Sequence, residues 1–275
     1  VKVVDGFMAC DGSRSHLFYV GPVESAGFKN FEFAADVMTR PGANSGIYFH
    51  TEYQEKGWPE EGYEVQINNS YAGHGYREIR KTGSLYAIRN FCKPLVADDE
   101  WFTLRIAVRA NRVQVHVNDR LVVDYVEPED PPRQPPYTGR LLGSGTFAIQ
   151  CHDPGSKVFF RNIRVRPLPP GLPQSPDALP TDRATYEKIM RHTMSGFPLI
   201  DLHAHLKGGL TLDELLAKSR ADGINYGIAP NCGLNFPITS DEGIDEFIAE
   251  NKDKPVFLGM QAEGREWVDL FSREA

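Results

Sequence analysis

Three short runs of this chain place acid–base and hydrogen-bonding groups at a spacing of two. From Gly46 to Thr51, Ile47 and Phe49 alternate with Tyr48 and His50. From Gly62 to Ile67, Val65 and Ile67 alternate with Glu64 and Gln66, and from Phe147 to His152, Phe147, Ile149 and Cys151 alternate with Gln150 and His152. Successive strand side chains point to opposite faces, so the apolar set takes the core and the polar set lines the other side. A carboxylate, two imidazoles, two amides and a phenol on one face suit a hydroxyl-rich ligand, with Glu64 as the candidate proton acceptor. The plainer alternative is a solvated face, which antiparallel sandwiches commonly expose. Residue type argues against it, since solvated strands usually carry Lys, Thr, Ser or Arg. His74, His116 and the charged stretch Glu127 to Asp130 read as ordinary surface.

A second chemistry lies further along. The apolar run beginning at Leu199 ends in His203-x-His205, followed by Gly208, Gly209 and a helical pattern. Alternation turns both imidazoles to one side at the C-terminal end of the strand, where barrel enzymes hold their active sites. Two neutral imidazoles there are good ligands for zinc or another first-row divalent ion, which would activate a water.

The elements that position these groups differ between the two halves. Phe31 to Met38, Ser45 to Thr51, Tyr63 to Asn68, Phe102 to Arg109, Arg112 to Asn118, Leu121 to Val126, Thr146 to His152 and Lys157 to Val165 read as short strands, the rhythm of an all-β sandwich. Asn118, Asp119 and Arg120 join two of them as a hairpin. Six prolines between Arg166 and Thr185 remove backbone donors and hold the chain extended. Beyond them, Tyr186 to Met194 and Leu212 to Ala221 have helical spacing, while Leu199 to Leu202, Tyr226 to Ala229 and Val256 to Met260 read as short strands. The expected organisation is a β-sandwich over residues 1–168, a Pro-rich linker over 169–185 and an incomplete α/β barrel segment over 186–275.

At 275 residues two domains are the natural expectation. The formal net charge of −7 argues against nucleic acid or an anionic membrane as partner and leaves neutral or cationic small ligands. Cys10, Cys92, Cys151 and Cys232 are too widely spaced for a zinc or redox motif. The chain opens on Val1 inside a strand-like run with no start Met, signal peptide or membrane-length apolar run. It reads as an excerpt, which leaves the compartment open and a bacterial periplasmic or extracellular setting compatible. Oligomeric state is equally open.

Five motifs in order carry a resemblance over nearly all of residues 1–168: Gly42 to His50 (GANSGIYFH), Gly62 to Gln66 (GYEVQ), Lys81 to Tyr86 (KTGSLY), Glu100 with Trp101, and His152 to Ser156 (HDPGS) with Phe160 to Ile163 (FRNI). Together they resemble the 3-keto-disaccharide hydrolase domain family. The resemblance implies a mainly β, concanavalin-like jelly roll acting on glycosides oxidised at C3 of the sugar. It departs from the family pattern in lacking the usual strand before Val1 and in placing His50 where Arg is common.

A C3 ketone acidifies the C2 proton and lets the C1 substituent leave by elimination, after which water adds back. That route needs a base, a polariser for the ketone and an acid for the leaving oxygen. Glu64 is the expected base, His50 and His152 the acid or polariser, Gln66 and Lys81 the orienting groups, and Tyr48, Tyr86 and Gln150 further substrate contacts. Direct hydrolysis would need two flanking carboxylates, and alternation places only Glu64. Two alternatives stand beside this reading. His50, Glu64 and His152 are also a possible divalent-metal set, and the sandwich could be a carbohydrate-binding module with Tyr48, Trp58 and Tyr86 as stacking platforms, fused to a metal-dependent hydrolase. No nucleotide cofactor is expected.

The stretch from Pro198 to Trp267 resembles the start of a polymerase-and-histidinol-phosphatase or amidohydrolase-like domain. His203, His205 and Glu263 match its metal motifs, while Asn231 and Cys232 stand where Asp-His is common. The ligands still needed would lie beyond Ala275.

Overall fold

The structure, a computed structural model, describes residues 1–71, 78–179 and 182–272. His74 lies outside the described residues. The chain divides into two compact units, one of Val1–Pro198 with Arg220–Gly223, the other of Leu199–Ser219 with Ile224–Ala275.

The first unit is the expected sandwich. Its strands are β1 (Lys2–Val4), β2 (Phe7–Asp11), β3 (Ser15–Phe18), β4 (Phe31–Thr39), β5 (Asn44–Thr51) and β6 (Tyr63–Asn68). There follow β7 (Phe102–Arg109), β8 (Arg112–Val117), β9 (Arg120–Val126), β10 (Thr146–Cys151) and β11 (Lys157–Pro167). A seven-stranded sheet in the order β1-β2-β11-β4-β7-β8-β9 faces a four-stranded sheet in the order β3-β10-β5-β6. The pairings within both sheets are antiparallel. The expected hairpin between β8 and β9 turns on Asn118, whose φ of 53° is the left-handed conformation Asn tolerates.

The two sheets are buried differently, and this places the site. Along β4 and β7 buried residues alternate with half-buried or exposed ones, the pattern of a sheet with one wet face. Along β5, β6 and β10 the residues are buried on both faces. One face meets the core, where the Phe147 ring packs 4.8 Å from both Phe28 and Phe31 and 5.0 Å from Phe33. The other carries polar side chains that loops cover, so it is not a solvated sheet.

Helix α1 (Arg183–Met194) packs with the sandwich, whereas its helical spacing had placed it at the head of the second domain. Tyr186, Met190 and Met194 recur every four residues, and this stripe joins the same apolar core as the strands. Its start is capped by the Asp182 carboxylate, which accepts from Thr185 N–H at 2.9 Å. Glu127, read as surface from its charged neighbours, is instead buried, bonded to the Tyr63 hydroxyl, to Arg133 Nη2 at 3.2 Å and to Leu142 N–H at 2.9 Å. Those partners come from β6 and from the irregular segment after β9, and they satisfy the charge that burial would otherwise penalise.

The second unit has the expected α/β character. Strands β12 (Ile200–Ala204), β13 (Asn225–Ile228) and β15 (Phe257–Leu258) form a parallel sheet, and β14 (Asn231–Cys232) pairs in parallel with β16 (Gln261–Ala262). Helices α2 (Leu212–Asp222) and α3 (Asp241–Asn251) separate the strands. Helix α3 escapes a reading by period because its acidic sequence buries only Ile244 and Asn251. Among the described residues no helix is long and apolar enough to cross a membrane.

Burial of Met190 at 0% exposure predicts that Met190→Ala lowers stability by about 2–5 kcal/mol. A urea unfolding curve of the full chain checks this, and an unchanged midpoint would show that α1 does not belong to the sandwich core.

Candidate active site

On the covered face of the four-stranded sheet, β5, β6 and β10 bring three polar side chains together. Tyr48 and Glu64 are directly opposite in the β5–β6 register. The Tyr48 hydroxyl donates to Glu64 Oε2 at 2.8 Å, and Gln150 Nε2 on β10 donates to Glu64 Oε1 at 2.9 Å and to the Tyr48 oxygen at 3.0 Å. Arg140 Nη2 lies 4.0 Å from Glu64 Oε2, with its guanidinium 5.3 Å from the Tyr48 ring centre. Gly46 makes the arrangement possible, since a Cβ at that position would stand 2.4 Å from Glu64 Oε1. Beside this group Gln66 Nε2 donates to Asn44 Oδ1 at 3.0 Å.

These residues floor a cavity of about 560 Å³. Trp58, Pro59, His152, Glu78, Tyr86 and Tyr137 also line it. His152 Nδ1 is 2.6 Å from Asp153 Oδ2, and its ring packs 5.2 Å from Trp58 and 5.4 Å from Tyr71. Arg80 Nη1 donates to the Tyr86 hydroxyl at 3.1 Å and pairs with Glu78 at 3.3 Å, its guanidinium 4.3 Å from the Tyr86 ring.

Electrostatics follow from burial. Desolvation raises the Glu64 carboxyl above its ordinary value, opposed by Arg140 and by the Tyr48 and Gln150 hydrogen bonds. The Tyr48 phenol is raised by burial and by the neighbouring Glu64, so it remains a donor. Burial also works against ionised Asp153, but hydrogen bonds from His152 and Ser156 outweigh it and hold that carboxyl below its usual range. The floor is therefore a carboxylate held by a phenol, an amide and a nearby cation, able to exchange a proton with a bound ligand.

Of the residues expected from sequence, Tyr48, Glu64, Gln66, Tyr86, Gln150 and His152 line the cavity. His50 and Lys81 do not. At His50 the backbone takes φ 54°, and the β5–β10 register shifts between Thr146 and Ala148. Such a bulge breaks the alternation on which the His50 expectation rests. Its ring packs edge-on against Phe31 at 5.7 Å and Phe49 at 5.3 Å, Nε2 donates to Lys29 C=O at 2.8 Å, and Nδ1 accepts from Gly143 N–H at 3.1 Å. With His50 engaged there, the set His50, Glu64 and His152 is not assembled to share one metal. Lys81 is buried in the segment after β6, its N–H bonded to Phe91 C=O at 2.8 Å.

The sequence reading missed Arg140, Tyr137, Glu78 and Asn44. Arg140 and Tyr137 belong to the irregular segment between β9 and β10, where no period signals a facing direction. Asn44 stood within the first motif and carried no separate signal.

In the second unit the expected metal residues are brought close but not onto one point. His203 Nε2 lies 2.9 Å from His205 Nε2 and 2.6 Å from Gln261 Oε1. Glu263 Oε1 accepts from Gln261 Nε2 and Asn231 Nδ2, both at 2.6 Å. One exposed and one half-buried imidazole thus converge while the carboxylate is occupied by amides. Among the described residues no group of three or more His, Cys, Asp or Glu is arranged to hold a metal ion.

Comparison with known proteins adds the following. Residues 2–166 match the family described as 3-keto-alpha-glucoside-1,2-lyase-like domain. No curated protein matches the chain. Among solved structures, a Parabacteroides distasonis protein provisionally described as a glycosyl hydrolase is 22% identical, with 61% of this chain and 83% of that chain aligned at a TM-score of 0.52. The carbohydrate binding module CBM66 from Bacillus subtilis is 15% identical, covering 58% of this chain and 95% of its own at a TM-score of 0.39. The first likeness is one of fold.

His50 provides a pH test. Burial lowers its pKa from 6.5 to about 4, so the neutral ring belongs to the fold. Its contribution is complete above the unfolded value and is lost as pH falls through the folded one. Wild-type stability is expected to decline between pH 6.5 and about 4 more steeply than that of His50→Gln. At neutral pH the variant should cost about 1–3 kcal/mol, because it disturbs the bonds to Lys29 and Gly143. Parallel denaturation curves across that range would refute the assignment.

Proposed function

Because the chain belongs to the family of 3-keto-alpha-glucoside-1,2-lyase-like domains, we propose that its first unit cleaves glycosides whose sugar carries a ketone at C3, by elimination followed by hydration. The observation that carries this reading is the Glu64 carboxylate, buried among hydrogen-bond donors on the cavity floor, while the neighbouring Glu78 is paired with Arg80.

Glu64 removes the C2 proton, and the electron pair is delocalised onto the C3 oxygen as an enolate. Its two oxygens each accept one donor, which leaves lone pairs for that proton. Arg140, the cation beside the base, takes the polarising role first expected of His50 and stabilises the enolate charge. Collapse of the enolate restores the ketone, forms the C1–C2 double bond and breaks the bond from C1 to the leaving oxygen. His152, oriented through Nδ1 by Asp153, gives that oxygen its proton when protonated itself. Water then adds to C1 and a proton returns to C2. Gln66, Asn44 and Tyr86 offer contacts to sugar hydroxyls and ring faces. Convergence of the polar groups in a walled cavity favours this over a binding module, whose stacking residues would lie spread on an open surface.

For the second unit we hold to the resemblance at His203, His205 and Glu263 as a partial divalent-ion site. Two imidazoles would ligate the ion, and an ion held there would activate water. With Glu263 bonded to two amides the affinity is expected to be weak.

Two measurements test these readings. The full chain should release the aglycone from a 3-keto glucoside and not from its unoxidised parent. Glu64→Gln should lower kcat/KM by roughly 10²–10⁴-fold and Arg140→Met by roughly 10²–10³-fold. Since burial raises Glu64 and the base must be ionised, the acid limb of the kcat/KM profile should lie above 4.5, with rate lost as pH falls. Full activity in Glu64→Gln would rule the mechanism out, and binding of both sugars with release from neither would favour the module. Titration with zinc should show binding in the micromolar range or weaker. Tight stoichiometric uptake abolished by His203→Ala would mean that the second unit is a complete metal centre.

A further inference from the structure

Two cysteines on facing sheets meet inside the sandwich. Cys10 lies on β2 of the seven-stranded sheet and Cys151 on β10 of the four-stranded sheet. Both are buried in one apolar core, at 2% and 3% exposure. The two strands approach to within 8 Å between Cα atoms, and each thiol shifts the titration of the other. Cys151 also stands directly opposite Ser15 in the β10–β3 register. A disulfide requires its two Cα atoms within about 7 Å, which adjacent thiols on closely approaching strands can reach with little backbone movement.

The surroundings divide the pair into two roles. At Cys151 the neighbouring Cys10 and Ser15 outweigh burial and lower the pKa, favouring the thiolate that attacks a disulfide. At Cys10 the neighbouring Cys151 and burial raise it, so this thiol keeps its proton until the second step. The other two cysteines lie elsewhere. Cys92 follows the loop after β6, where burial raises it to about 11, and Cys232 belongs to the second unit.

We propose that Cys10 and Cys151 are an oxidative modification site, closing to a disulfide that cross-links the two sheets by exchange with a low-molecular-weight disulfide such as oxidised glutathione. The Cys151 thiolate attacks one sulfur of that molecule, forming a mixed disulfide and expelling one glutathione thiolate. The expelled thiolate takes the Cys10 proton, and Cys10 sulfur attacks Cys151 sulfur, releasing the second glutathione. Two protein thiols are oxidised and one glutathione disulfide is reduced to two thiols.

The bond would tie down the strand that carries the site. Cys151 sits between Gln150 and His152, both of which line the cavity. Cross-linking β10 to β2 restricts this strand and closes a long loop of the unfolded chain, where the entropic gain is largest. Because both sulfurs are buried, exchange is expected during folding or transient opening rather than in the closed state.

The test uses the full chain, unfolded and then refolded either with oxidised and reduced glutathione or with dithiothreitol. In the glutathione arm the expected results are a fall in reactive thiols from four to two, a peptide map joining Cys10 to Cys151, and a thermal midpoint higher on the order of 10 °C. Dithiothreitol should reverse all three. Cys10→Ser should lose the cross-link and the shift, and Cys92→Ser should keep both. Four thiols surviving oxidative refolding, or a link through Cys92 or Cys232, would overturn the proposal. The thiol count and the peptide map are taken on the wild-type chain, so a variant that fails to fold does not alter the outcome.

Discussion

The constraint on which this structure turns is the burial of a carboxylate on a sheet face. Glu64 is 5% exposed, and an ionised carboxylate removed from water is costly unless hydrogen bonds replace its hydration. Tyr48 and Gln150 supply those bonds from strands β5 and β10, and Arg140 adds a cation from the loop above. Each is itself fixed by the arrangement. Both amide hydrogens of Gln150 are committed to Tyr48 and Glu64, which sets the orientation of the amide. Gln150 Oε1 is left buried with no partner of its own among the described residues, so the network is satisfied on the amide's donor side only.

The same principle explains two residues that lie outside the site. His50 and Glu127 are polar groups buried beside the aromatic core, and each is satisfied by partners outside its own strand. His50 closes the end of β5 over Lys29 and Gly143. Glu127, with Arg133, anchors the irregular segment after β9 that later delivers Tyr137 and Arg140 to the cavity. Structural polar groups thus hold the loops, and the loops complete the site.

The two units use different means to place chemistry. In the sandwich, functional groups stand on neighbouring strands in a cross-strand register that packing on the opposite face makes rigid. In the second unit His203, exposed, and His205, half-buried, lie at the end of a parallel strand, with Gln261 and Glu263 at a later short strand. Side chains on such short strands lack the packed surroundings that would fix the direction of a metal ligand.

The amino-acid sequence by itself determined the alternation that puts Tyr48, Glu64, Gln66, Gln150 and His152 on one face, because a period of two is a local property of the strand. It likewise determined the parallel α/β character of the second unit and the ordered motifs by which the first resembled its family. Tertiary structure decided what depends on residues far apart. A bulge between β5 and β10 reversed His50, loop closure brought Arg140 and Tyr137 over Glu64, and the stripe of Tyr186, Met190 and Met194 found its partner in the sandwich core. The charged run at Glu127 shows the limit most directly. A carboxylate among charged neighbours reads as surface, and only partners supplied from elsewhere in the fold make its burial affordable.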